Sequence, residues 1–259
     1  MISTIRQSKI RYLLIALFWL ALWQLLYKII NQPLFLTSPL ATAKALEMRL
    51  IQAETWGILG NTSGRIIVGY FTAIILGIVF ASISYVSRTF EELVKPMMLL
   101  MKSIPVASFI VIALAWFSSR NVSGFITWFV VFPLIYFHVL AALWKVDGKL
   151  LEVCQVFHVK NIKKWKYIYI PQIMEEFPEI LKLTVGMGIR SAIAAELIGV
   201  PEYSVGEAIY KAKLYFDIAD LFAWTILAIF LCWTLEKIMI WLFQWLGRMM
   251  YHERKEKNN

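Results

Sequence analysis

The sequence has few of the residues that build metal centres, disulfide frameworks and soluble surfaces. It contains two cysteines and three histidines in 259 residues, and only 17% of its residues are charged. Cys154 lies in a lysine-rich segment and Cys232 in an apolar one, so no disulfide is expected between them. His138, His158 and His252 do not have the spacing of metal ligands, so the sequence predicts no metal site.

Motifs for catalysis are missing as well. Gly148-Lys149-Leu150 lacks both the upstream glycine and the hydroxyl residue of a phosphate-binding loop. No Ser-His-Asp or Cys-His arrangement is visible in the chain. The sequence therefore predicts no catalytic residue and no bound cofactor, and the chain is not expected to be an enzyme.

Apolar residues are abundant. They make up 60% of the chain, and its mean hydropathy is +0.67. One soluble core of this length cannot bury that many apolar residues, so part of the surface must face membrane lipid. The net charge of +9 would suggest nucleic acid in a soluble protein. In a membrane protein it is typical of lysine and arginine in cytoplasmic loops, so no nucleic-acid partner is predicted.

Six apolar segments each approach the roughly 20 residues that a helix needs to cross a membrane. Backbone groups cannot stay unpaired in lipid, so these segments predict an all-α integral membrane protein with about six transmembrane helices. The predicted spans are 12–30, 66–86, 96–117, 125–144, 178–199 and 221–246.

Lysine and arginine orient these spans. With the N-terminus in the cytoplasm, the inside segments hold 15 of them and the outside segments 5, so both termini are predicted to be cytoplasmic. Residues 1–60 are predicted as a retained anchor helix and an external loop, with a short surface helix beginning at Ser38-Pro39. Residues 61–246 form the predicted core, whose cytoplasmic loop is 145–171, and 247–259 form a cytoplasmic tail.

One stretch of that loop, EVCQVFHVKNIKKWKYIYIP, resembles the cytoplasmic loop of bacterial ABC importer permeases. That loop opens with glutamate and two small residues, continues to a glycine, and closes on Ile-x-Leu-Pro. The matching positions here are Glu152, Val153, Cys154, His158, Ile168, Ile170 and Pro171. The family's glycine falls at His158 in this chain. Glycine would allow a left-handed turn at this position, and histidine there predicts a turn of different shape.

Three further segments resemble the same family, and the resemblance covers about 35–246. They are WGILGNTSGRIIVGYFTAIILGIVFA, KPMMLLMKSIPVASFIVIALAWF and ELIGVPEYSVGEAI. The resemblance implies a type I ABC importer permease with a MetI-like fold, similar to permeases for nitrate, taurine and alkanesulfonates. Two copies would form one pathway for a small anion in the bacterial cytoplasmic membrane. Cytoplasmic ABC ATPase subunits would bind ATP and dock at the loop, and an extracellular or periplasmic binding protein would deliver the solute.

Charged and helix-breaking residues within the spans are candidates for the pathway. Arg190 lies eleven residues after Glu179, about 16 Å along a helix and near the bilayer middle. Two roles are open for a charge at this depth: it lines a pathway for an anion, or it is a structural residue that pairs within the protein. Glu196 is expected at the external end of the pathway or at a subunit contact. Lys102 can extend to the membrane surface. Pro105 is expected to kink the third span. The kink either serves gating or is an ordinary feature, since proline is common in membrane helices.

Two other classes of protein remain open on the sequence alone. A stand-alone channel or ion-coupled secondary transporter would need no ATPase, and broken helices in inverted repeats would be expected of it. A membrane enzyme would need polar groups clustered at one depth, whereas Lys102, Arg190 and Glu196 are predicted at different depths.

Overall fold

The computed structural model describes the backbone of residues 2–32 and 34–256 and the side chains of 11–32, 34–243 and 245. Within these residues the chain is helical and contains no strand. The helices are α1 (Ile2–Ile30), α2 (Pro39–Ile51), α3 (Ala53–Val86), α4 (Arg88–Ser103), α5 (Val106–Trp116), α6 (Ser119–Trp144), α7 (Gly148–Val156), α8 (Asn161–Lys164), α9 (Ile170–Gly199), α10 (Val205–Leu214) and α11 (Ile218–Glu256). A π-helical turn, Trp165–Tyr169, joins α8 to α9.

Helices α3, α6 and α9 form the centre of the bundle, with α6 packed between the other two. Glycine allows α3 and α6 to approach closely, because a Cβ atom on Gly69 would overlap the carbonyl oxygen of Gly124. Gly188 of α9 has a similar role, since its Cβ atom would lie 2.8 Å from a methyl group of Val131 on α6. Helix α11 packs beside α9, and α10 lies between these two.

The first two helices lie at the edge of the bundle. The described side chains of α1 are mostly exposed, and Trp23 attaches it by donating to the carbonyl of Thr37 at 3.0 Å. The predicted surface helix is present as α2, and the side chain of Ser38 caps it by accepting from the backbone N–H of Ala41 at 3.1 Å. Arg49 of α2 forms an ion pair with Asp220 of α11 at 2.6 Å.

The prediction of six single spans is only partly confirmed. By length and composition, four helices of the described residues can cross a membrane: α1, α3, α6 and α11. The predicted span 178–199 lies inside α9, which begins at Ile170 and carries too many charged residues to qualify. The helix that contains predicted span 66–86 begins earlier, at Ala53.

The predicted third span, 96–117, is not one kinked helix. Helices α4 and α5 meet at an angle of 107°, and their axes break at Ile104 and Pro105. Pro105 has extended backbone angles and takes the N-cap position of α5, because a proline at the start of a helix has no backbone N–H that needs an acceptor. Counted as one broken span, the pair brings the number of candidate spans to five.

Candidate coupling loop and transport pathway

Helix α7 presents an uncovered apolar face at the predicted cytoplasmic side. It begins after Asp147, whose side chain accepts a hydrogen bond from the backbone N–H of Lys149 at 2.9 Å. Cys154 is its buried residue, whereas Glu152 is exposed and has no ion-pair or hydrogen-bond partner among the described residues. The exposed apolar side chains are Leu150, Val153, Val156 and Phe157. Because α7 packs against little else of the chain, this face is open to a partner.

The turn after α7 is left-handed, although histidine occupies it. His158 has φ 48°, and its backbone N–H donates to the carbonyl of Gln155 at 3.0 Å. The N–H of Val159 donates to the carbonyl of Cys154 at 2.9 Å. These two bonds form a Schellman motif, the helix ending that glycine usually supplies. The expectation that histidine gives the turn a different shape is therefore wrong: the hydrogen bonds of the turn hold the residue in this conformation.

His158→Gly is expected to stabilise the chain by about 1 kcal/mol, because glycine adopts the left-handed conformation without a Cβ clash. The His158 side chain is exposed, so its loss removes little packing. Thermal unfolding of the detergent-purified protein measures the change. His158→Ala is the control, since it also removes the imidazole but keeps the Cβ atom. Equal unfolding temperatures for the glycine and alanine variants would contradict the assigned strain.

An aromatic cluster connects the end of this loop to two central helices. The rings of Trp165 and Tyr169 lie 4.8 Å apart, and Tyr169 lies 5.2 Å from Tyr85 at the end of α3. Tyr85 in turn lies 5.1 Å from Trp144 at the end of α6. The cluster therefore joins the end of the loop to the ends of α3 and α6 through direct ring contacts. The sequence interpretation missed this cluster, although tyrosine and tryptophan are frequent at membrane interfaces.

The last three loop residues of the motif lie where the chain enters α9. Ile168 is in the π-helical turn, whose closing bond runs from the N–H of Ile170 to the carbonyl of Trp165. Ile170 and Pro171 form the first turn of α9, a position at which proline is favoured. The loop and α9 therefore form one continuous helical connection from residue 161 onward.

An ion pair holds the start of the same loop. Lys145 Nζ donates to Glu176 Oε1 of α9 at 2.8 Å. This hydrogen bond raises the pKa of Lys145 above its ordinary value, and the negative charge of Glu176 acts in the same direction. The start of the loop is thus attached to α9 by this ion pair, and the end of the loop continues directly into α9.

Arg190 lies in the middle of an uncovered stripe on α9. Its guanidinium lies beside Gly186, where a Cβ atom would be 3.2 Å from Nη1. Arg190 forms no ion pair or hydrogen bond with the described residues, so the alternative that it pairs within the protein has no support among them. The exposed residues that share the stripe at helical spacing are Glu175, Glu179, Lys182, Leu183, Met187, Ala194, Leu197 and Ile198.

Lys102 and Pro105 lie at the bend between α4 and α5, and both are exposed. Lys102 Nζ lies 5.8 Å from the ring centroid of Phe137 on α6, within the range of a cation–π contact. Neither residue contacts Arg190 among the interactions of the described residues, so the structure does not bring the three pathway candidates into one cluster.

Glu196 is placed differently from the sequence expectation, because it is completely buried inside a single chain. Thr62 Oγ1 donates to its carboxylate at 2.9 Å, and Arg65 Nη1 pairs with it at 3.3 Å. The backbone N–H of Gly206 donates at 3.4 Å. A carboxylate with these partners joins α3, α9 and α10 rather than lining a pathway. Thr62 and Arg65 were not predicted as site residues, although they lie in a segment that resembles the family.

The long apolar helices, the broken helix pair and the helical loop between α6 and α9 define an integral membrane protein. The sequence model of the family described as "Binding-protein-dependent transport system inner membrane component" matches residues 73–251. The chain belongs to this family of ABC importer permeases, and the fold class and the family predicted from the sequence are confirmed.

One curated relative is the taurine transport system permease protein TauC of Escherichia coli (strain K12). It is 22% identical over 172 residues, which are 64% of this chain and 62% of that protein. The match thus spans less than two thirds of the relative's length. Among solved structures, a chain of the MetNI methionine ABC transporter in an inward-facing conformation has a TM-score of 0.48 and 15% identity, and covers 76% of this chain and 93% of that one.

Proposed function

We propose that this chain is the membrane-spanning permease subunit of an ATP-driven importer for a small anion of the taurine, sulfonate or nitrate type. A separate cytoplasmic ATPase docks at residues 152–171, and both chain termini lie on that side. Two copies of the chain form the pathway, and an extracellular or periplasmic binding protein delivers the solute to the opposite side. The family membership supports the permease role, and the taurine relative supports the class of solute.

The open face of α7 is the observation that carries this proposal. A helix that exposes Leu150, Val153 and Phe157 to water needs a partner, because single apolar side chains are ordinary on a surface but a cluster is not. The aromatic cluster and the Lys145–Glu176 ion pair then connect the docked helix to α3, α6 and α9. Closure of two ATPase subunits would move these helices together.

Reconstitution tests the proposal. The chain is purified with its ATPase and binding protein, placed in liposomes, and assayed for uptake of radiolabelled taurine with ATP or with a proton or sodium gradient. We expect uptake that needs ATP and is blocked by vanadate. Uptake driven by the gradient, in liposomes without ATPase, would instead identify an ion-coupled secondary transporter.

Arg190→Gln is expected to lower the uptake of an anionic solute by about tenfold or more, because a charge-assisted hydrogen bond to the solute is lost. Arg190 fits this role since it is an exposed cation without a partner among the described residues. ATPase binding should not change, because Arg190 is far along α9 from the loop. The control is Lys182→Gln, eight residues earlier on the same stripe. Equal losses of uptake in both variants would argue against a specific role of Arg190.

A further inference from the structure

A polar cavity of about 800 Å³ opens at the ends of α3 and α6 that are predicted to be external. Arg65 and Arg120 are its cations, and Asn61 and Asn121 supply neutral hydrogen-bond donors. Arg120 is exposed and forms no ion pair or hydrogen bond with the residues that the structure describes. The cavity therefore offers an uncommitted positive charge beside two amide groups, an arrangement that suits a phosphate oxygen.

The second cation, Arg65, already forms bonds within the protein. Besides its ion pair with Glu196, Arg65 donates from Nη2 to the carbonyl of Glu202 at 3.2 Å. Glu202 is also a lining residue of the cavity, so the net positive charge of the lining is smaller than two arginines alone would give. Arg120 is consequently the residue whose removal should change anion binding without loosening the packing around Glu196.

An apolar groove of about 670 Å³ continues from this cavity along α3 and α6. The two spaces share Gly64, Arg65 and Asn121, so they are adjacent. Gly64 has no atom within 4 Å of the place where its Cβ atom would be, which leaves the groove open at this point. The remaining residues of the groove are Val68, Gly69, Thr72, Gly124, Phe125 and Trp128.

The groove opens onto an exposed and mostly apolar surface of α3. Along α3 the exposed residues after Gly64 recur at helical spacing, and most are apolar: Val68, Thr72, Ile75, Leu76 and Val79. α3 is one of the helices long and apolar enough to cross the membrane. A ligand in the groove thus lies beside the acyl chains of the bilayer, with its polar end at the level of the headgroups.

We propose that the cavity and the groove together bind one anionic phospholipid of the external leaflet, with its phosphate at Arg120 and one acyl chain in the groove. The charge complementarity and the continuity with a lipid-facing helix surface favour a lipid over a soluble solute. This inference goes beyond the proposed function, because it holds whether or not the chain couples to an ATPase. It uses the proposed orientation only to name the leaflet.

The headgroup contact is tested by native mass spectrometry of the full chain in a neutral detergent, with an equimolar mixture of phosphatidylglycerol and phosphatidylcholine. One arginine near the membrane surface should favour the anionic lipid about fivefold. Arg120→Gln is expected to remove this preference. Arg88→Gln, at an exposed arginine of α4 on the opposite side of the membrane, should keep it. Equal retention of both lipids by the wild-type chain would overturn the proposal.

The acyl-chain contact is tested by filling the groove. Gly64→Leu places a side chain in open space, so the protein should fold and lose the retained lipid. Gly57→Leu is the matched control on the same helix, because its Cβ atom also meets nothing within 4 Å and it lies outside the groove. Undiminished lipid retention in Gly64→Leu would overturn the proposal. Hexanesulfonate serves as a soluble anion in competition with phosphatidylglycerol. If it is retained instead of the lipid, the proposal is also overturned and the groove is assigned to a soluble anion.

Discussion

Val153→Asp is expected to abolish co-purification of the ATPase subunit and to reduce ATP-dependent uptake at least tenfold. Val153 is 51% exposed in the single chain, so a carboxylate is solvated there before docking and the chain should fold. In the docked complex the same carboxylate would be buried against an apolar surface without a partner, which costs about 2 kcal/mol or more. That cost alone corresponds to a loss of affinity of more than tenfold.

Gln155→Asp is the matched control for this prediction. It adds the same charge two residues away, about 200° around α7 from Val153, and Gln155 is also exposed. ATPase binding should be retained in the control, because its new carboxylate lies away from Leu150 and Phe157. Loss of the ATPase in both variants would mean that charge in the loop, rather than contact with the apolar face, controls docking. Retention in both would remove α7 from the interface.

The sequence predicted the class of the protein well, because lipid imposes a simple rule on composition. Residues 125–144 are apolar except for Thr127 and His138, and α6 covers them as a single helix. In the loop between α6 and α9, Leu150, Val153, Val156 and Phe157 recur at helical spacing and lie exposed on or beside α7. Local pattern was sufficient for these features since each depends on residues close in the chain.

The prediction failed where the conformation depends on distant partners. Proline at 105 is compatible with a kink or with a complete break, and packing of α4 on α3 and α6, and of α5 on α9, accompanies the break. The packing partners of α4 and α5 lie far along the chain, so a single sequence does not display them. His158 is a different case: it disfavours positive φ on its own, yet two backbone hydrogen bonds within the same turn, to the carbonyls of Gln155 and Cys154, hold it there.

Glu196 shows the same limit for a functional residue. A carboxylate near the end of a span has the pattern of a pathway residue, and Arg65 is separated from it by more than a hundred positions. Only the fold brings Thr62, Arg65 and Gly206 to its oxygens. The segments that resemble the family contain all of these residues, so part of the resemblance reflects the packing of three helices rather than transport.

Gly206→Ala is expected to destabilise the chain by about 3 kcal/mol, the upper range for a side chain forced into a packed interior. An added Cβ atom would overlap the backbone of Glu196 and Leu197, so α10 would have to move away from α9. That movement would lengthen the bond from the N–H of Gly206 to Glu196, and also the bond from the N–H of Val205 to Thr62 at 3.1 Å. Thermal unfolding in detergent and the yield of monodisperse protein measure the effect.

Gly57→Ala gives a control of opposite sign on α3. The same methyl group meets nothing within 4 Å at that position, so only the helix preference of alanine remains. We therefore expect it to stabilise the chain by about 1 kcal/mol. If Gly206→Ala unfolds at the wild-type temperature, α9 and α10 are not in backbone contact and the packing assigned to Glu196 is wrong. If both variants are destabilised alike, the loss comes from replacing glycine as such, and the contact between α9 and α10 is not its cause.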